Sequence, residues 1–127
     1  MINADERFPK AARLLKRRQF LAVQRSRHRV VTKHFIIYAR RGRPKSLKIG
    51  ITVSRKVGKA HTRNRIKRLV REAFRQNRNV LPRGLSLVCV ARKSDSVASL
   101  DHVRSELIYA ASELEKRMLR RHSNERR

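Results

Sequence analysis

The sequence predicts an α+β fold, a two-layer sandwich in which three helices pack on a four-stranded sheet in the order α-β-β-β-α-β-α. Three observations carry that prediction. Apolar and polar residues alternate strictly over 47–54, the signature of a half-buried strand. Over 66–74 apolar residues instead recur three and four apart, the signature of an amphipathic helix. The 127 residues suffice for one modest core but hardly for two, so residues 1–127 are expected to form a single domain.

Leu14, Leu15, Leu21 and Ala22, with Phe20 and Val23 between turns, predict a first helix from about Ala11 to Gln24 after Pro9. Arg13, Lys16, Arg17 and Arg18 fill the rest of it. The β-branched run Val30 to Thr32 reads as a short edge strand, and Phe35 to Ala39 as a clear one. Beyond the loop "RRGRPKS", Leu47, Ile49, Ile51 and Val53 face one way while Lys48, Gly50, Thr52 and Ser54 face the other. In the second helix Ile66, Leu69, Val70, Ala73 and Phe74 line the buried face. After the turn "LPRG", Leu85 to Ala91 reads as a buried strand. Leu100, Val103, Leu107, Ala111, Leu114 and Met118 mark one face of a long last helix, with Ser99 as its N-cap. Residues beyond Leu119, "RRHSNERR", are expected to form a frayed basic tail from about residue 120.

The charge balance narrows function more than the fold does. Against 9 Asp and Glu stand 35 Lys and Arg, a formal net charge of +26. Such self-repulsion disfavours the compact state unless a polyanion relieves it. A phosphate-rich partner does so, because each neutralised phosphate releases condensed counterions. A membrane is the rival polyanion, but no apolar run approaches the roughly 18 residues of a spanning helix, and "MINADERFPK" lacks the apolar region of a secretory signal. The chain is therefore expected to be cytoplasmic. A lone Cys89 excludes an internal disulfide and a CxxC site, and its run "LSLVCVA" suits a buried core residue better than a reactive thiol. His28, His34, His61, His102 and His122 show no metal-binding spacing, and the acids are too scattered for a two-metal site. These histidines read as bystanders on a basic surface, and no protein metal site is expected.

The stretch "KVGKAHTRNRIKRLVREAFR", residues 56 to 75, carries the strongest signal. Asn64, Arg68, Arg71 and Arg75 lie opposite the apolar stripe, with Lys67 at one flank and Arg65 at the other. A merely solvated helix usually mixes signs in i,i+4 pairs, and this one offers only Glu72, which favours contact with RNA or DNA. Guanidinium groups suit phosphate because they donate two parallel hydrogen bonds, and the Asn64 amide suits a base edge or a 2′-hydroxyl. Just upstream, Gly58 permits close backbone approach and the helix N-terminus favours an anion. No GxxxxGKS or GxGxxG pattern accompanies it, which leaves nucleotide binding weakly supported.

From "RLLKRRQF" through "IGITVSRKVGKA" to "RNRIKRLVREAFR" and "LVCVARK", roughly Phe8 to Lys93, the chain resembles the protein component of bacterial ribonuclease P. The resemblance implies a protein that binds a large catalytic RNA, the complex hydrolysing precursor tRNA to free the mature 5′ end. The chemistry then belongs to the RNA, the chain is an accessory subunit of an endoribonuclease without a catalytic residue of its own, and Mg²⁺ is held by RNA and substrate phosphates. The partners implied are the ribonuclease P RNA subunit and precursor tRNA, with no membrane and no obligate protein partner. By the same resemblance Arg63, Asn64, Arg65, Lys67, Arg68 and Arg71 lie close to the catalytic RNA, which agrees with the stripe that ends at Arg75. Phe20, Tyr38, Arg55, Lys56 and Lys93 would line a cleft, between the first helix and the sheet, for the single-stranded 5′ leader.

A flat strand face at Gly50 and Thr52 gives a chain room to lie, and an aromatic ring at its edge stacks on any base. Phe20 fits stacking and core packing equally, whereas Phe35 faces away from Tyr38 and belongs to the core. The family's fold also implies a left-handed crossover at the central helix. The chain departs from the usual pattern at His61, where Val is common, at Gln24, where some members carry a second Phe, and at Ser86, where an Asp often stands. A small ribosomal RNA-binding protein is the nearest alternative; composition does not separate the two, and the "RNRIKR" context does.

Overall fold

The structure, a computed structural model, describes residues 12–14, 16–94 and 98–125, the last six by their backbone alone. Its elements are α1 (Arg17–Gln24), β1 (Arg29–Val31), β2 (Phe35–Arg41), β3 (Leu47–Thr52), α2 (Ala60–Gln76), β4 (Leu85–Ala91) and α3 (Leu100–Glu125). The sheet order is β1-β2-β4-β3, antiparallel except where β3 runs parallel to β4. A parallel neighbour needs a crossover, and α2 supplies it.

Strand parity sorts the side chains onto two faces. Ile37, Cys89 and Ile51 stand in register across three strands, as do Ala39, Leu87 and Ile49 in the next such row. These rows form the floor of the main core, which α2 covers with Val70, Ala73 and Phe74 and α3 with Val103, Leu107 and Leu114. Sheet and helix pair make the expected two layers, and α1 crosses the sheet's other face. There Leu14, Val23 and Val88 form a smaller cluster joined by Phe20, Tyr38 and Val90. Cys89 lies in the main core, only 1% exposed, and burial pushes its thiol up to about 12.

The first helix starts later than its periodicity predicts, at Arg17 rather than Ala11. The cause is a long-range contact: Arg13 forms a parallel bridge with Ile49, and the Leu14 N–H donates to the Ile49 carbonyl at 3.0 Å. The chain thus runs beside β3 until Lys16, whose N–H donates to the Gln19 side chain at 3.0 Å. Pro9, Ala11 and Leu15 lie outside the described residues. Ser99 caps α3 as expected, its Oγ accepting the His102 N–H at 3.2 Å. The backbone of α3 continues to Glu125, through most of the stretch expected as a tail, and residues 126–127 lie outside the described residues. None of the described helices is long and apolar enough to cross a membrane.

Candidate nucleic-acid interface

The stripe on α2 keeps most of its predicted form. Asn64, Arg65, Arg68 and Arg71 are exposed, and Arg63 and Lys67 half-buried. No acid occupies the first turn, and the N-cap Lys59 makes no side-chain hydrogen bond there, so no acid in that turn answers the positive end of the helix dipole. Arg63 Nε is buried without an acceptor, an unsatisfied donor of the kind that calls for an explanation. Arg75 departs from the set. Its Nε donates to Glu72 at 3.0 Å and its Nη2 pairs with the other carboxylate oxygen, so the only acid on α2 is matched to the stripe's last cation. The Arg75 hydrogen bond, outweighing desolvation, holds the Glu72 carboxyl below its usual range. Gly58 has extended backbone; a Cβ there would meet Thr62 Cγ2 at 3.2 Å, so the glycine serves close packing of the turn against α2.

A groove of about 530 Å³ runs between α1 and the β3 edge, lined by Arg17, Phe20, Gln24, Thr52 and Lys67 among others. Arg17, Phe20, Leu21 and Gln24 stand at i, i+3, i+4 and i+7, one face of α1. Phe20 sits at the groove's inner wall, and the predicted open floor at Gly50 is its seat. A Cβ on Gly50 would lie 2.6 Å from Phe20 Cε1 and 3.2 Å from Leu14 Cβ. The ring therefore packs on Gly50 with one side and lines the groove with the other. The open part of this sheet face lies one row further on, where Val31, Ile36, Val90 and Thr52 are in register. Tyr38 stands on the same face in the row of Val88 and Gly50, half-buried against the α1 cluster.

Because β3 and β4 are parallel, their C-terminal ends meet at one edge of the molecule. This brings Arg55 and Lys56, on a 3₁₀ turn spanning Arg55–Val57, to the same end of the sheet as Lys93, all three exposed. Neighbouring Arg92 is tied down, Nη1 donating to the Thr32 carbonyl at 2.6 Å. Sequence reasoning missed Arg17 and Gln24 as groove residues and assigned Lys67 to the stripe alone. The i, i+7 relation of Arg17 to Gln24 was the available signal; nothing local could have shown that Lys67 reaches the groove.

His34 is a correction. Rather than a surface bystander it is 6% exposed, and its backbone N–H and ring Nδ1 each lie 2.7 Å from a different oxygen of Glu106. His102 stacks on it with ring centroids 5.7 Å apart. Burial raises the Glu106 carboxyl, but hydrogen bonds from His34 and Thr32 outweigh it and leave the group below its usual range. The cluster ties the start of β2 to α3, and His34 shares a pocket with Arg65 at the flank of the stripe. Among the described residues no three His, Cys, Asp or Glu side chains converge as metal ligands would.

The profile of the family described as Ribonuclease P matches residues 8–115. A ribonuclease P protein component from Desulforapulum autotrophicum is 44% identical over 102 residues, covering 79% of this chain and 86% of the relative. One from Geotalea uraniireducens is 53% identical over 72 residues, covering 57% of this chain and 64% of the relative. Among solved structures, the RNase P protein from Thermotoga maritima superposes with a TM-score of 0.71 at 33% identity, over 80% of this chain and 96% of that one. The Staphylococcus aureus RNase P protein gives 0.71 at 26% identity, over 84% and 97%.

Proposed function

The chain belongs to the ribonuclease P protein family, and from that premise we propose that it binds the catalytic RNA through α2 and the 5′ leader of precursor tRNA through the α1 groove. In this reading the complex removes the leader endonucleolytically to give the mature 5′ end, the RNA carries the chemistry, and the protein positions RNA and substrate. One observation carries it: Lys67 flanks the α2 stripe and lines the Phe20 groove, so a surface suited to structured RNA is continuous with one suited to a single strand. Arg63, Asn64, Arg65, Arg68 and Arg71 supply donors for phosphate and 2′-hydroxyl. Phe20 supplies a stacking edge, and Arg55, Lys56 and Lys93 supply charge at the groove's end of the sheet. Tyr38 is not among the residues lining the groove and packs instead against the Leu14, Val23 and Val88 cluster on the same sheet face. Recognition by stacking and phosphate contact tolerates many leader sequences.

Mg²⁺ enters this reading as an ion of the RNA and substrate phosphates. Among the described residues no group of three carboxylate, imidazole or thiol side chains is placed to hold such an ion. The protein's contribution is electrostatic: by neutralising phosphate it lowers the bulk Mg²⁺ that the RNA needs. The test is cleavage of a 5′-extended precursor tRNA by a bacterial ribonuclease P RNA at low Mg²⁺, with and without this protein. Strong stimulation with release of the correct 5′ end is expected. Tight RNA binding without stimulation, across several such RNAs, would overturn the reading in favour of a general RNA grip.

A further inference from the structure

Helix α1 divides its face of the sheet into two grooves, of which the Phe20 groove is one. The other, about 410 Å³, lies between α1 and the opposite end of the sheet. Its floor is the row Arg40, Ser86 and Lys48, in register across β2, β4 and β3. Arg18 overhangs it from α1 and Arg41 stands at its edge. Four cations therefore surround one hydroxyl, with no acid and no aromatic ring in the lining. Like charges brought together on one sheet face repel unless something lies between them. No side chain among the described residues pairs with Arg18, Arg40, Arg41 or Lys48.

We propose that this second groove holds the phosphate backbone of the upstream part of a long 5′ leader, after the strand has passed the Phe20 groove. This rests on the leader-binding reading above. Two features select that occupant. The first is continuity: Arg17 lines the Phe20 groove and its chain neighbour Arg18 lines the second, so the first turn of α1 places adjacent guanidinium groups in both grooves. That turn contains no acid, so a phosphate chain crossing it meets Arg17 and Arg18 together with the positive end of the helix. The second is chemistry: without a ring to stack on, the groove reads phosphate and not base, as suits a segment of arbitrary sequence. From the Thr52 row to the Lys48 row is four residues of β3, about 13 Å, so only a strand that extends past the first groove gets there.

The experiment measures holoenzyme affinity for precursor tRNAs with leaders of about 4 and about 16 nucleotides, the range of single-strand site sizes on one small domain. Arg40→Ala/Lys48→Ala and, separately, Arg18→Ala are compared with wild type over a salt series. The double variant is expected to lose on the order of ten-fold in affinity for the long leader at low salt, its salt slope falling by about 1.4, at 0.7 per single-strand phosphate contact. Arg18→Ala should show a smaller loss of the same kind, and the short leader should be bound unchanged by both variants. Equal losses for both leaders, weakened assembly with the catalytic RNA, or no change with either substrate would each overturn the proposal. Phe20→Ala serves as the control for the underlying reading: if it leaves both leaders unaffected, leader binding at α1 itself fails, and the second groove fails with it for that distinct reason.

Discussion

Helix α3 and the stretch of chain that carries α1 and α2 differ sharply in charge balance. Helix α3, on the core side, holds Asp101, Glu106, Glu113, Glu115 and Glu125, five of the chain's nine acids. It uses them as an ordinary surface helix does, pairing Asp101 with Arg104 at 3.4 Å and Glu113 with Arg117 at 3.3 Å. By contrast the sequence from Arg7 to Arg71, which includes α1, β1 to β3 and most of α2, contains no Asp or Glu. Exposed pairs of the α3 kind contribute little to stability, about 0 to 1 kcal/mol each. Their absence elsewhere therefore costs the fold little and leaves a cationic surface open to a polyanion. If α3 serves as scaffold and α1 with α2 meet RNA as proposed, a mutation in one group should leave the other group's property intact.

The largest effect is expected on the scaffold side. Glu106→Ala leaves the His34 N–H and ring without their acceptor in a site where His34 is 6% exposed. Unfolding in denaturant should show a loss of roughly 2 to 4 kcal/mol, between the cost of an orphaned buried donor and that of a broken buried pair. The salt slope of RNA binding should not move; a changed slope would break the division between α3 and the cationic helices. The pair also predicts a pH dependence. The folded Glu106 carboxyl holds its proton more weakly than the unfolded one, so its contribution is complete above the ordinary value of 4.5 and is lost as pH falls through the lower folded value. Glu106→Gln should flatten that acid limb of the stability curve.

What could be read from sequence, and what could not, follows the range of the interactions involved. Alternation through Leu47, Ile49, Ile51 and Val53 names the buried face of β3 because side-chain parity is local. The same logic found the Ile66 to Phe74 stripe and the Ser99 cap. It placed the start of α1 too early because the Leu14 N–H is claimed by Ile49, thirty-five residues away. It left Gly50 as open floor because parity says which way a residue points and not what covers it, and Phe20 covers it. The Arg75–Glu72 pair was within reach, since i,i+3 neighbours meet on a helix. His34 and Glu106 are seventy-two residues apart, and no spacing rule joins them.

On the RNA side, Phe20→Ala should weaken binding of leader-bearing substrate by about 1 to 3 kcal/mol, the range for one base stack, and leave affinity for mature tRNA alone. Because Phe20 also packs on Gly50, some loss of stability accompanies it. The discriminating quantity is the ratio of precursor to mature affinity, which a folding defect does not change. Equal losses for both would move Phe20 to the scaffold and erase the distinction between the α1 groove and the core.

The smallest effect is the most specific. Arg68 is exposed in the middle of the α2 stripe, and Arg68→Ala should cost the fold almost nothing. If the side chain neutralises a phosphate of the catalytic RNA, the slope of log affinity against log salt should fall by about 0.7 to 0.9, one contact's worth of counterion release. Arg75→Ala makes the internal comparison, since Arg75 lies on the same helix face but is already held by Glu72. Its removal frees an acid as well as deleting a cation, so it changes the net charge by the same amount while removing no phosphate contact. Equal slope changes for the two variants would mean that α2 acts through total charge alone. A drop confined to Arg68→Ala would mean that the helix offers RNA a set of placed donors, and that Glu72 marks where the set ends.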